Sequence, residues 1–203
     1  MPTPEEILNG LAYAANQFTT LSIIWHIILL FLVVLLIIGK KFNIKTIAAL
    51  LGIFLLSAGV IAVYTHNPFN AVMFAIAALL FGIYTLKFKP EPVGISWDVV
   101  PVIGLVMFLF GFIYPHFLEG SAFYKYFYAS PMGLIPCPTL LAFIGITLML
   151  NGFNSKRWMI TGAVFGLFYG IFGVLRLGVY LDVGLIAGAL ILLVNSFTQK
   201  QSS

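Results

Sequence analysis

An all-α integral membrane protein is the fold class this sequence predicts: seven transmembrane helices preceded by a short amphipathic helix lying in the membrane interface. Three observations carry that expectation. Of 203 residues, 62% are hydrophobic and 8% charged, with a mean hydropathy of +1.10, whereas soluble chains have about 25% charged residues. The apolar residues gather into runs near the ~20 residues needed to cross a bilayer. The basic residues fall in the short polar breaks between those runs, as in proteins whose cationic loops stay in the cytoplasm. The whole chain, 1–203, reads as one polytopic domain whose partner is the lipid bilayer. The net charge of +4 is accounted for by these loops and does not indicate nucleic-acid binding. A single cysteine excludes an intrachain disulfide. The start has no basic n-region and no cleavage site, so no removable signal peptide is expected.

The opening "TPEEILNGLAYAANQF" carries a capping box, Thr3 with Glu6, and Pro4 suits the first helical position. Ile7, Leu8, Leu11, Ala15 and Phe18 recur on one helical face, which predicts the interfacial helix over about 4–17. A simple extension of the first span fits the same periodicity. Seven spans follow, over about 20–39, 44–64, 70–86, 97–114, 132–150, 157–176 and 181–196. The breaks between them are "GKKFN", "THNPFN", "KFKPEPVGIS", "PHFLEGSAFYKYFYAS", "NGFNSKR" and "LGVY".

The charges fix the orientation. Lys40, Lys41, Lys45, Lys87, Lys89, Lys156, Arg157 and Lys200 fall on one side of a seven-span arrangement, and only Lys125 and Arg176 on the other. The cationic side is cytoplasmic by the positive-inside rule, which puts the N-terminus outside and the C-terminus in the cytoplasm. The last span has no lysine for a Schiff base, so seven spans do not imply a retinal protein. Gly162, Gly166 and Gly170, and again Gly184 and Gly188, repeat at four-residue spacing and predict close helix packing between spans 6 and 7. Trp25, Trp97 and Trp158 stand near span ends, as in an aromatic belt. Asp98 reads as a charge at the N-terminus of span 4.

Candidate chemistry gathers at the outer end. His26 lies within span 1, and ionisable groups there usually face a cavity or the bundle interior. Cys137 opens span 5, Arg176 and Asp182 bracket the turn between spans 6 and 7, and His116 and Glu119 belong to the outer loop. These six form the expected binding pocket, with Arg176 and Asp182 as a buried pair. Asp182 equally fits a cap of span 7, and Arg176 a cation at the C-terminal end of span 6. His66 and His116 also read as solvated loop residues.

The stretch "SPMGLIPCPT" before span 5 is the unusual feature. Pro136, Pro138 and the residues before them interrupt any regular helix, with Pro138 expected as the first helical residue and Thr139 just inside it. Irregular backbone at membrane depth survives only inside protein or beside a cavity. Cys137 would then stand at a helix N-terminus, where a thiolate is favoured. With His26 it could ligate a soft metal such as copper or zinc. A small buried apolar residue at a kink is the alternative reading of Cys137.

The run "GLIPCPT", with "VYTHNPFNA" between spans 2 and 3 and "GVYLDVGLIAGALILL" at the end, resembles a family of small prokaryotic multi-pass membrane proteins catalogued as a domain of unknown function. The family pattern at the fifth span is Gly-Leu-Pro-Cys-Pro-Thr-Thr. Here Ile135 is inserted and Leu140 replaces the second Thr. The resemblance implies that Pro136, Cys137, Pro138 and Thr139 are a signature and that the protein resides in the plasma (inner) membrane of a prokaryote. It implies no activity. The expected function is therefore binding or passage of a small solute or soft metal ion through an outward-facing pocket at the Pro136–Cys137–Pro138 break. The alternative is an accessory or scaffold subunit packed against partner subunits of a larger membrane complex. No motif pairs a nucleophile with a base, so an enzyme is not expected.

Overall fold

The computed structural model describes residues 3–118 and 122–198. Helices α1 (Pro4–Gln17), α2 (Thr19–Ile37), α3 (Ile44–Tyr64), α4 (Pro68–Lys87), α5 (Val99–Ile113), α6 (Tyr126–Ala129), α7 (Pro136–Met149), α8 (Lys156–Leu177) and α9 (Val183–Thr198) follow in order. Helices α2, α3, α4 and α8, and the segment 180–198 containing α9, are long and apolar enough to cross a membrane. The other two apolar helices, α5 and α7, are shorter, at 15 and 14 residues. At 1.5 Å per residue they reach only about 21–23 Å.

Local chemistry accounts for the ends. The Thr3–Glu6 capping box forms as the sequence predicts, with Glu6 N–H donating to Thr3 Oγ1 at 3.2 Å and Thr3 N–H to Glu6 Oε2 at 2.7 Å. Asn43 caps α3 through Lys45 N–H, and Asn67 caps α4 through Asn70 N–H, with Pro68 in its first turn. Asp98 is the N-cap of α5. Helix α8 ends on Gly178 at φ +69°, a left-handed position that glycine adopts without steric cost. Strands β1 (Phe42–Asn43) and β2 (Pro92–Val93) pair antiparallel and tie the loop after α2 to the loop after α4.

Helix α7 is the axis of the molecule. Every residue from Ala129 to Leu150 is buried, and α5, α8, α9 and α3 all pack on it. A helix hydrophobic all round belongs inside. The closest approach is α5 on α7. A Cβ at Gly104 would lie 2.5 Å from Met149 N and 2.7 Å from Gly145 O, and one at Gly111 would lie 2.7 Å from Ala142 N. Backbone meets backbone along that seam. The glycines singled out in the sequence divide their work differently from the expectation. Gly162, Gly166 and Gly170 do face α9, at Leu192, Ala189 and Ile186. Gly184 instead accommodates Phe110 of α5, and Gly188 faces Met107 of α5 and Ile144 of α7. They bring α9 to α5, not to α8.

The aromatic belt is also corrected. Trp97 is exposed, but Trp158 and Trp25 are core residues. Trp158 stands among Phe81, Phe143, Phe153 and Phe88 and donates Nε1–H to Thr147 Oγ1 at 3.2 Å. Closeness to a span end in sequence does not say which way a helix face points.

Candidate functional site

The Pro-Cys-Pro puzzle is resolved by hydrogen-bond accounting. Helix α7 begins at Pro136, two residues earlier than expected, with Ile135 as N-cap. The irregular stretch is therefore 131–135, and it is buried. A helix start leaves its first four N–H groups without intrahelical partners, a serious cost where no water reaches. Pro136 and Pro138 occupy the first and third helical positions and have no N–H to leave unpaired. Ile135 N–H turns back to Pro131 O at 3.3 Å. The two prolines thus remove half of the orphan donors, and Cys137 occupies the position between them.

The break itself is tied down. Thr139 Oγ1 accepts from Gly133 N–H at 2.9 Å and donates to Ile135 O at 2.5 Å. Ser57 donates to Gly133 O at 2.7 Å, and Ser22 donates to Ser130 O. Gly133 has φ +74°, and a Cβ there would run into the Trp25 ring. We expect Thr139→Val to lower stability by about 1–3 kcal/mol by orphaning Gly133 N–H, while Thr139→Ser retains most of it. Thermal unfolding of the purified variants checks this, and equal loss in both would contradict the assignment.

The Cys137 thiol is paired with a carboxylate. It donates to Asp182 Oδ2 at 3.1 Å, and Tyr114 OH donates to Asp182 Oδ1 at 2.6 Å. Asp182 is 1% exposed and closes a short 3-10 turn, Tyr180–Asp182, leading into α9. It rests against Gly173 of α8, where a Cβ would overlap the carboxylate. The N-termini of α7 and α9 both lie at Asp182, and their partial positive charge favours an anion there. The expected ion pair is not seen: among the described residues none joins Arg176 to Asp182, and the carboxylate instead accepts from Tyr114 on one oxygen and Cys137 on the other. The Asp182 side chain binds across the bundle, to Tyr114 at the end of α5 and to Cys137 in α7.

On its other side Cys137 lines a cavity of about 550 Å³. The apolar face of α1 covers it, through Ile7, Leu11 and Ala14. The other walls come from the end of α3 and start of α4, from Leu134 to Pro136, and from the last turns of α8. Polar groups are few: the thiol, Arg176, Asn70, Tyr169, Thr65, His66, Asn67 and Glu6. Tyr169 OH donates to Asn70 Oδ1 at 3.0 Å, joining α8 to α4 within the lining.

Of the six residues expected to share one pocket, Cys137 and Arg176 line the cavity and Asp182 holds Cys137 from behind. His26 is placed elsewhere. Its Nδ1 lies 2.8 Å from Ser22 O and its Nε2 2.9 Å from Phe112 O. Both nitrogens face carbonyl oxygens and neither presents a lone pair to a metal. His26 is a buried staple between α2 and α5. His116 packs its ring on Phe117, and partial burial lowers its pKa below the ordinary histidine value. It does not line the cavity. Glu119 lies outside the described residues. Among the described residues no cluster of three or more His, Cys, Asp or Glu could hold a metal ion, so the Cys137–His26 metal site finds no support. Sequence reasoning missed Tyr114, Asn70, Tyr169 and Gly173. The Gly166–Gly170 run, continued to Gly173, held a signal for the last. Comparison with protein-family models, curated proteins and solved structures finds no match to this chain.

Proposed function

We propose that this is a seven-span membrane protein that binds a small amphipathic solute in the cavity at the start of α7. In this reading the N-terminus is outside, the C-terminus is cytoplasmic, and α1 lies in the outer interface as a roof over the cavity. Helices α5 and α7 complete the seven spans, the buried stretch 131–135 adding to the reach of α7. The observation that carries the proposal is the cavity itself. Its volume of about 550 Å³ falls in the range of small-molecule sites, roughly 300–1,000 Å³. Apolar walls with a few convergent polar groups suit an apolar body with one polar or anionic end near Arg176. Membership in the Pro-Cys-Pro-Thr family belongs to the same proposal, supported by the place of Pro136 and Cys137 in the cavity wall and by the hydrogen bonds through which Thr139 holds the break before them. The outward faces of α2 and α4 give an accessory-subunit reading no separate support, because lipid covers such faces equally well.

Cys137 is the only thiol and supplies its own assay. In nanodiscs, decanoate is expected to slow alkylation of Cys137 by N-ethylmaleimide, read by intact mass, and to raise Tm. Arg176→Gln should weaken that protection several-fold. Absence of protection by decanoate, decylamine and decanol alike would overturn the solute-binding reading. For orientation, Lys41→Cys in a Cys137→Ser background is expected to react with a membrane-impermeant maleimide only after the cells are opened. Strong labelling of intact cells would reverse the topology.

A further inference from the structure

A second concavity of about 560 Å³ opens at the opposite ends of the same helices. It is lined by Lys87 and Lys89 after α4, by Lys156 and Arg157 at the start of α8, and by one acid, Glu91. Phe88 and Phe153 form apolar wall, and Tyr84 and Ser155 add hydroxyl groups. We propose that this is a binding site for a phosphate-bearing anion, with the headgroup of an anionic lipid as its source.

Retention of cationic loops in the cytoplasm accounts for the presence of basic residues at this end, but not for where these ones sit. Lys156 and Arg157 occupy the first turn of α8, which contains no acid. A helix N-terminus carries partial positive charge, so cations there are disfavoured and anions favoured. Ser155 caps Trp158 N–H at 3.4 Å, leaving the first N–H groups of α8 directed out of the helix end. Two further lysines converge on the same concavity. Lys156 already places its ammonium over the Phe197 ring at 4.4 Å, which leaves Arg157, Lys87 and Lys89 as the principal charges. One Glu91 cannot neutralise this set, and a bound phosphate would.

The backbone that presents the site is also unusual. Asn151, Gly152, Phe153 and Asn154 all have positive φ, from 49° to 60°. Four consecutive left-handed residues are rare, since each non-glycine costs about 1–2 kcal/mol. Phe153, wedged between Trp158 and Phe88 with ring centroids at 5.0 and 5.8 Å, holds the turn. That turn aims Asn154 and Ser155 at the cationic concavity. The lining lies at the ends of α4, α7 and α8, where headgroups lie if these helices span, and apolar wall continues beside the charges, as a lipid requires. Basic pockets between membrane helices are a recognised mode of headgroup binding.

The test is native mass spectrometry of the full chain released from nanodiscs containing equal phosphatidylglycerol and phosphatidylcholine, with a parallel titration by inorganic phosphate. Wild type is expected to retain phosphatidylglycerol over phosphatidylcholine at least five-fold, and Lys87→Gln/Arg157→Gln to lose that preference while keeping its Tm. Retention of phosphate but not of the lipid would keep the anion site and identify a soluble ligand instead. Equal retention of both lipids by wild type with no phosphate binding, or an unchanged preference in the double variant, would overturn the proposal. Neither residue touches the cavity at the start of α7, so this result is independent of the decanoate experiment.

Discussion

Gly145→Val is expected to abolish the folded protein, with no monodisperse species on size-exclusion chromatography after extraction and a stability loss beyond the ~1–3 kcal/mol typical of overpacking. A Cβ at position 145 would run into Phe108 N and stand 2.7 Å from Phe108 Cα and 2.8 Å from Gly104 O. All three are backbone atoms, and no rotamer change can move them. Helix α5 would have to separate from the helix at the centre of the bundle. Gly52→Ala and Gly82→Ala are the controls. Each glycine is helical with open space around its missing Cβ, and alanine in a helix is favoured over glycine by about 1 kcal/mol. These two variants should be neutral or slightly more stable, so adding a Cβ to a helical glycine changes sign with location. A monodisperse Gly145→Val protein of wild-type Tm would mean that α5 and α7 do not meet as described.

That seam shows what the sequence could and could not reveal. The apolar runs, the capping box at Thr3 and the approximate ends of the helices were legible, because each depends on residues near one another in the chain. Gly162, Gly166 and Gly170 were legible too, through their spacing. Gly104, Gly111 and Gly145 were not. They make one contact only when α5 and α7 are placed side by side, and nothing local distinguishes Gly104 from Gly52. His26 failed as a ligand for the opposite reason. A histidine within a membrane helix signals a polar partner, but the partners proved to be the Ser22 and Phe112 carbonyls, which every residue carries and no sequence pattern marks. Arg176 and Asp182 were correctly placed at one end of the bundle. The partner of Asp182 was misjudged because charge complementarity pointed to Arg176, while the fold brought Tyr114 from 68 residues away.

The two ends of the bundle follow one rule of buried backbone and charge. At the start of α7, two donors are deleted by proline and Thr139 Oγ1 ties Gly133 N–H to Ile135 O, while the Trp25 Nε1–H beside Gly133 is buried without a partner among the described residues. At the start of α8, by contrast, donors and cations are left pointing outward together. Hydrogen bonds close inward around Thr139, whereas positive charge is concentrated around Arg157, and that contrast separates the inward-built cavity from the outward-facing basic site.

Asp182→Ala is expected to cost about 2–4 kcal/mol, because it leaves Tyr114 OH and Cys137 SH without their shared acceptor and opens a void beside Gly173. Tyr114→Phe alone should cost about 1–2 kcal/mol through loss of its 2.6 Å bond to the carboxylate. The informative measurement is the double variant. In an Asp182→Ala background the Tyr114 hydroxyl is an orphan, so Tyr114→Phe removes a liability and should be neutral or stabilising. The two single losses then fail to add by more than about 1 kcal/mol. Unfolding of all four proteins in the same detergent gives that coupling directly. Simple additivity would show that the hydroxyl and the carboxylate act separately, and that Asp182 is held in place by its packing on Gly173 and not by the hydrogen bonds that join α5, α7 and α9.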